Sequence, residues 1–530
     1  MNQNQETDGA PRRANPEGPP EAGGGISDFN PGFLLFATLV ISICSVVYEL
    51  LIGSLSSYLL GDGVLQFSLT IGLYLFAMGL GSWVSKQFVR DLFDVFVLVE
   101  AAVGLAGGFS SMTLFLCYLH TKSYPLVMYL LTVLIGGLVG LEIPLLVRIL
   151  DQERLSLRSG VASVFAFDYL GGLFGSLLFP LVLLPSLGYV TTAFFTGVLN
   201  FAAAVGVVFR YPTRLVHRRG LRAVVCAGFL LLLGFTFAGD AMTTSLEGGL
   251  YRDQVILSLQ TRWQKVVLTK HKDDLRLFID GNVQFSSLDE YRYHEALVHV
   301  PLAARPDASR VLLLGAGDGL AARELLKYPN IREITLVDID EALVNLCRQN
   351  PLIAALNRGS LEDSRIHCVF EDAFSFLRSN EEPYDVILAD LPDPNNEALN
   401  KLYTTAFYQM ARRNLTPGGV MATQSGSPCY TGDAFWCINK TLGEAFPLVL
   451  PYHLYVPSFG DWGFNLALSS SGLPDFVFPE GLPLSWLSRE NFQTLFAFAK
   501  DERRNLEDIA VNTLLRPRLL RYYAEGTDAW

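Results

Sequence analysis

Charge is scarce in this sequence: 17% of its 530 residues are Asp, Glu, Lys or Arg, against roughly 25% in an ordinary soluble domain. That shortage, with 50% hydrophobic residues and a mean hydropathy of +0.31, excludes a wholly soluble chain, and the length excludes a single domain. Basic residues are the scarcer sign. The net charge of -12 argues against nucleic acid as a partner, because phosphate binding needs a basic surface, and suits cationic substrates better. Cysteine is also sparse. Cys44, Cys117, Cys226, Cys347, Cys368, Cys429 and Cys437 make no CxxC and no His-paired spacing, so neither a disulfide framework nor a metal site is expected. Residues 1–30 lack an apolar core, are rich in Pro, Gly, Asn and Glu and carry Arg12 and Arg13. They are expected as a disordered tail, not a signal peptide.

What the chain does have is long apolar runs. Spans are expected near residues 33–57, 64–85, 93–118, 124–148, 161–184 and 188–209, within a transmembrane domain of six to seven helices over residues 31–240. A shorter run, Ala223 to Gly239, is at the short end of what crosses a bilayer. Positive residues fall in alternate connections: Lys86 and Arg90; Arg148, Arg154 and Arg158; then Arg210, Arg214, Arg218, Arg219 and Arg222. The positive-inside rule puts those connections and the N-terminus in the cytoplasm. Glu49, Glu100, Glu142 and Asp168 lie within the spans, where charge costs about 2.5 to 3.5 kcal/mol, so they either face a polar interior with a cation-binding role or, as for Glu142 and Asp168, sit near helix ends.

Past Asp240 the character is soluble. Alternating β-rich runs over Asp253 to Phe285, punctuated by Lys272-Asp273-Asp274 and Asp280-Gly281-Asn282, predict a small antiparallel sheet within residues 241–300. Tyr291 to Glu295 opens a helix leading to Pro301. Strand and helix patterns then alternate over residues 301–470, with buried strands at Val311–Leu314, Glu333–Val337, Ile366–Phe370, Asp385–Ala389 and Gly419–Thr423, which predicts a doubly wound α/β domain. Residues 471–530 read as polar helices.

The chemistry gathers at two strand ends. Val311 to Leu314 empties into Gly315-Ala316-Gly317-Asp318-Gly319 and a helical pattern, and the next strand ends in Asp338 about twenty residues on, where a βαβ unit places the carboxylate for ribose hydroxyls. Adenosine is the expected ligand. The strand Asp385 to Asp390 runs into Leu391-Pro392-Asp393-Pro394, so Asp390 and Asp393 should face the same crevice; the plainer reading is a turn whose aspartates cap the backbone.

At this point the sequence resembles the spermidine synthases, or polyamine aminopropyltransferases, in the bacterial subset with a multi-span membrane N-terminal domain. Gln260-Thr261-Arg262-Trp263-Gln264 is similar to the family's Q-T-x-[YW]-Q, Asp280 to Gln284 to its D-G-x-x-Q, and Tyr293-His294-Glu295 to its Y-[HQ]-E. Gly315 to Gly319 resembles its G-G-G-D-G and Asp390 to Pro394 its D-x-x-D-P. The resemblance implies a multi-pass helical domain, a small antiparallel β domain and a Rossmann-like, methyltransferase-type α/β domain. It implies transfer of the aminopropyl group of decarboxylated S-adenosylmethionine, a co-substrate and not a prosthetic group, to putrescine or a related diamine. By position, Gly315, Gly317, Gln264 and Asp338 would hold the glycine-loop and ribose side of the nucleoside, and Asp372 and Ala373 the adenine. Asp318 would meet an amine; Gln284, Tyr293, His294 and Asp393 would orient the diamine; Asp390 would accept the proton. The sequence departs from the family at Ala316, at Asp338 where many members have Glu, at Leu391 and Pro392, and at Asn395-Asn396-Glu397. The last two changes bear on the amine pocket.

Elementary chemistry is consistent with that assignment. A primary amine with a pKa near 10.4 is protonated at neutral pH and must lose a proton to attack carbon, and a carboxylate at the pocket mouth can take it. Two alternatives are weaker. An S-adenosylmethionine-dependent methyltransferase usually carries an acid where this chain has Leu313, and Asp318 would repel the intact cofactor's carboxylate. A membrane polyamine transporter or sensor would not need Asp390 and Gln264 intact. The expected setting is the cell (inner) membrane, multi-pass, as a homo-oligomer. The catalytic domain is expected in the cytoplasm, with Ala223–Gly239 interfacial or re-entrant.

Overall fold

A computed structural model describes residues 29–61, 63–153 and 157–528. The expected tail, apart from its last two residues, lies outside them, as do Arg154 and Trp530. The helical domain begins at α1 (Pro31–Leu60), where Asn30 accepts from the amides of Gly32 and Phe33 and Pro31 needs no partner for a missing N–H. There follow α2 (Gly63–Val84), α3 (Leu92–Gly108), α4 (Ser110–His120), α5 (Tyr124–Gln152), α6 (Leu157–Leu178), α7 (Leu184–Arg210) and α8 (Arg218–Gly248). Five helical stretches are long and apolar enough to cross a membrane, and α3 with α4, bent by 40°, makes a sixth.

One of those stretches, Gly160–Arg210, is 51 residues long but folds back on itself. Gly171 packs on Leu39 and Gly175 on Ile43, so α6 runs parallel to α1. Tyr189 then bonds Ser54, while Gly206 meets Phe33, so α7 returns antiparallel. The reversal lies at Gly188, whose φ of +68° a side-chain-bearing residue rarely adopts. α2 and α5 approach most closely: a Cβ on Gly81 would stand 2.0 Å from the carbonyl of Gly137, so only glycine allows that crossing.

The last apolar run lies within a longer helix. α8 is 31 residues, about 46 Å at 1.5 Å per residue, which exceeds the hydrocarbon core. It lies antiparallel along α7, with Gly228 on Phe201 and Gly239 on Thr191. The apolar run understates the helix because polar residues at both ends continue it. With the reversal at Gly188, the described helices traverse the bundle seven times. Lys86, Arg90, Arg148, Arg210, Arg214 and Arg218 lie toward the end of the bundle where α1 begins. The soluble domain emerges from the other end.

Four antiparallel strands, β1 (Gln254–Gln260), β2 (Lys265–His271), β3 (Asp274–Ile279) and β4 (Asn282–Ser286), form the small sheet in the order β1-β2-β3-β4. After α9 (Glu290–Ala304) comes the main sheet: β5 (Arg310–Gly315), with α10 (Leu320–Leu325) behind it, β6 (Glu333–Asp338), β7 (Ile366–Phe370), β8 (Tyr384–Asp390), β9 (Leu415–Gln424), β10 (Leu448–Val456) and β11 (Gly460–Leu468). Its order is β10-β11-β9-β8-β5-β6-β7, parallel from β9 to β7 and antiparallel at β11 and β10. Strand order reverses between β5 and β8, so a crevice opens beyond their carboxyl ends. Alternate residues of β5 feed two apolar cores: Val311 and Leu313 one, Leu312 and Leu314 the other.

The C-terminal stretch departs from its expected helices. Of residues 471–528, Arg489–Phe492, a tight turn at Gln493–Phe496 and Arg518–Asp528 are helical, and the rest is largely irregular. Pro474, Pro479, Pro483 and Pro517 interrupt it, and its backbone finds partners elsewhere instead: the buried Glu295 carboxylate accepts from the amides of Ser485, Trp486 and Leu487.

Candidate active site

β5 and β8 pair in parallel with Gly315 opposite Asp390, which brings both sequence motifs to one crevice. Gly315 has φ +78°, and a Cβ there would stand 2.1 Å from the Asp390 carbonyl. Gly317 likewise leaves room for the Asp338 carboxylate, 2.5 Å from where its Cβ would be. Asp338 ends β6, accepts from the Asp340 amide at 2.8 Å, and is held by burial at a pKa of about 6. Gln264 stands beside Asp340, two residues from Asp338. Its amide donates to Asp340 at 2.9 Å, as does the Thr261 hydroxyl at 2.7 Å, so the early Q-T-x-W-Q segment is fastened beside Asp338 through Asp340.

A cluster of carboxylates fills the centre. The Tyr293 hydroxyl, from α9, donates to Oδ1 of Asp390 at 2.5 Å. Next to it, His294 is 2% exposed, and its Nδ1 meets the carboxylate of Glu290 at 2.9 Å. Burial alone would lower this imidazole, but the hydrogen bond and charge of Glu290, with Asp318 and Asp390 facing it, raise its pKa to about 9. It is therefore a cation at neutral pH. Burial raises Asp390 to about 6; His294 pulls it down, Asp318 pushes it up, and the Tyr293 bond lowers it. Asp318 is raised by burial and opposed by His294. Asp393 is raised by burial, against the hydrogen bonds of Tyr523 (2.8 Å) and Gln424 (3.0 Å).

The glycine loop, Asp318, Tyr293, His294, Asp390 and Asp393 thus gather in one place, with Asp338 and Gln264 to one side. Asp372 caps the helix that Ala373 begins, by accepting from the Ser375 amide, and pairs with Lys401 at 2.7 Å. Gln284 is half-buried on β4, its amide directed at the carbonyl of Asn282, with no hydrogen bond to the carboxylate cluster. Several residues escaped the sequence reading. Glu290 anchors His294 and is itself gripped by both terminal nitrogens of Arg323 at 2.7 and 2.9 Å. Gln424 also donates to Leu391 O, and the Tyr403 hydroxyl to Leu391 O and Pro392 O, which shape the loop carrying Asp393. Tyr523 comes from the last described helix. Asp338-Ile339-Asp340 offered a signal for Asp340; nothing local signals Tyr523.

Among the described residues, His453, Asp461 and Glu502 come close enough to hold a metal ion. Both ring nitrogens of His453 are already engaged, by Asp461 at 2.8 Å and the carbonyl of Ala497 at 2.9 Å, so the group is knit as an internal hydrogen-bond cluster.

Comparison with known proteins agrees with this architecture. A family model described as the spermine/spermidine synthase domain matches residues 290–476. A polyamine aminopropyltransferase of Leptospira interrogans is 43% identical, covering 92% of this chain and 97% of its own. Polyamine aminopropyltransferase 2 of Ralstonia nicotianae is 43% identical over 93% of this chain and 97% of its own, and the polyamine aminopropyltransferase of Oceanobacillus iheyensis 40% identical over 92% and 96%. Such coverage takes in the helical bundle as well as the soluble domain. On the strength of its fold, its glycine loop opposite Asp390 and this full-length similarity, the chain belongs to the polyamine aminopropyltransferase family.

Proposed function

We propose that the protein transfers the aminopropyl group of decarboxylated S-adenosylmethionine to putrescine or a related diamine, giving spermidine and methylthioadenosine in the putrescine case. The observation that carries this reading is the charge of the crevice. Asp318, Asp390 and Asp393 with the imidazolium of His294 leave an excess of two negative charges when all are ionised, which matches a diammonium ion. Glycines 315 and 317 allow the nucleoside close to the backbone, and Asp338 is the carboxylate for its ribose.

In this reading the amine enters as a dication drawn by the three carboxylates. Tyr293 occupies Oδ1 of Asp390, so Oδ2 is the oxygen left to take the proton of the attacking nitrogen. The freed lone pair then displaces the sulfur of the sulfonium, which leaves as neutral methylthioadenosine with the sulfur's bonding electrons. Asp393, fixed by Tyr523 and Gln424, pairs with the far ammonium and sets the reach of the pocket. Asp390→Asn keeps the Tyr293 contact and removes the acceptor. It should lower turnover by about 10² or more while nucleoside binding is retained, measured with decarboxylated cofactor and a panel of amines and products identified by mass. Near-native turnover in that variant would refute the role. Methylated product from intact cofactor would refute the reaction.

The helical bundle supports an integral membrane setting, multi-pass in the cell membrane, and an assembly of several copies belongs to the same reading. The expectation of a cytoplasmic catalytic domain rests on a co-substrate made from a cytosolic metabolite and on a last segment too short to cross. With α8 long enough to cross, we place the domain on the face opposite the basic connections.

A further inference from the structure

Two carboxylates that the transfer chemistry does not use lie deep in the helical bundle. Glu100 on α3 is 0% exposed and Glu142 on α5 is 5% exposed. Glu100 sits about 12 Å along α3 from its start and Glu142 about 15 Å from the end of α5, both well inside the bundle at 1.5 Å per residue. The ring of Tyr48 on α1 packs against Gly107, two turns along α3 from Glu100, and Glu100 and Glu142 feel one another's charge and both act on Tyr48, which places them in the same part of the bundle interior.

Their hydrogen bonding is one-sided. The side-chain amide of Asn200 on α7 donates to Oε2 of Glu100 at 2.7 Å and to its carbonyl at 3.2 Å, which uses up both of its donor hydrogens. Oε1 of Glu100, Oε1 of Glu142 and Oδ1 of Asn200 are all buried and accept nothing, and the buried Tyr48 hydroxyl has no partner either. No Lys, Arg or His forms an ion pair with Glu100 or Glu142 among the described residues. Buried polar atoms are nearly always satisfied, so three acceptors in want of donors describe a ligand by its complement. A primary ammonium has three donors and no acceptor, and its charge offsets the carboxylates. Calcium would need six to eight oxygens, and magnesium a near-ideal octahedron.

We propose that Glu100, Glu142, Asn200 and Tyr48 form a second amine site, which binds the ammonium end of an alkyl amine within the bundle, apart from the crevice. The choice of amine rests on the transferase reading; the site itself does not. The test uses the full chain in detergent with radiolabelled putrescine in equilibrium dialysis, and transfer is followed in the same samples. The double variant Glu100→Gln with Glu142→Gln should bind one equivalent fewer per chain than the native protein while turnover stays within twofold. Equal stoichiometry would overturn the site, and so would proton uptake by the native protein with no amine bound in the bundle. A loss of stoichiometry matched by loss of turnover would assign the missing equivalent to the crevice and likewise overturn it. If the double variant does not assemble, Glu142→Gln alone, which leaves the Asn200 bond to Glu100 in place, should weaken the second class of sites at least tenfold; unchanged affinity overturns the proposal. Failure of transfer with both equivalents intact would count against the transferase reading alone.

Discussion

Burial and His294 act on Asp390 in opposite senses, and their balance fixes its pH behaviour. In its proposed role as proton acceptor Asp390 would work only when ionised, so turnover should climb as pH rises through about 6. It should fall again near 9, where His294 loses its proton and the carboxylates lose their cation. The two limbs belong to the interacting cluster, not to single residues. His294→Asn should remove the alkaline limb and move the acid limb above pH 6, because the charge that lowers Asp390 is gone; a pH profile of kcat/KM with an unmoved acid limb would refute this hold. The same imidazole is linked to stability. Its pKa is raised on folding, so its contribution is fully present below about pH 6.5 and lost as pH rises through about 9, on the order of 3 kcal/mol. A second residue-scale consequence follows from Ala316, which stands at φ +60° where the family pattern has glycine. A left-handed alanine costs about 1 to 2 kcal/mol, and the extra freedom of an unfolded glycine returns part of that. Ala316→Gly should therefore raise stability by about 0.5 to 1 kcal/mol in thermal unfolding. A lower Tm would show that the methyl's packing outweighs the strain.

Among the elements, α9 connects the crevice to the C-terminal stretch. Tyr293 and His294 face the site, while the following Glu295, 0% exposed, holds three consecutive amides of residues 485–487. Glu295→Ala leaves those amides without an acceptor and should cost on the order of 3 to 5 kcal/mol, seen as a lower Tm and protease cleavage within residues 471–500. Intact protection there would mean that the segment docks by its apolar contacts. This coupling also marks how far the sequence was legible. The strands β5, β6 and β8 are readable to within a residue or two because they are buried on both faces and end in turns with fixed chemistry, whereas β7, expected as buried, is the half-exposed edge strand, with His367 and Phe370 open to solvent. The glycine loop, Asp338 and Asp390 followed from that register. What pairs across the chain did not follow: Tyr523 reaches Asp393 over 130 positions, and Glu290 meets Arg323 over 33. No local period encodes such contacts. The ribose role of Gln264 follows from its motif, while its hydrogen bond to Asp340 is a contact that only packing reveals. α8 was underestimated for a related reason, since an apolar run measures the buried part of a helix and not its polar ends.

At the scale of the whole molecule, the bundle separates charge from catalysis. The basic connections collect where α1 starts, while the connections at the opposite end, at Gly61, Thr121 to Ser123 and the Gly188 reversal, hold Lys122 as their one Lys or Arg among the described residues, with Arg252 following the end of α8. Seven traverses carry the chain from the basic end to the catalytic domain. Orientation follows Lys and Arg in short connections, and here three alternate connections agree. The proposed placement of the catalytic domain is therefore the face opposite the basic connections. Paired reporters decide the matter. A phosphatase that folds only outside the cytoplasm should be active when fused to the C-terminus, and a fluorescent protein that matures only inside should be dark there; the same pair inserted after Arg214 should give the reverse. A fluorescent C-terminal fusion would overturn this placement and would mean that one of the seven helices does not cross, with α8, for all its length, the first to examine.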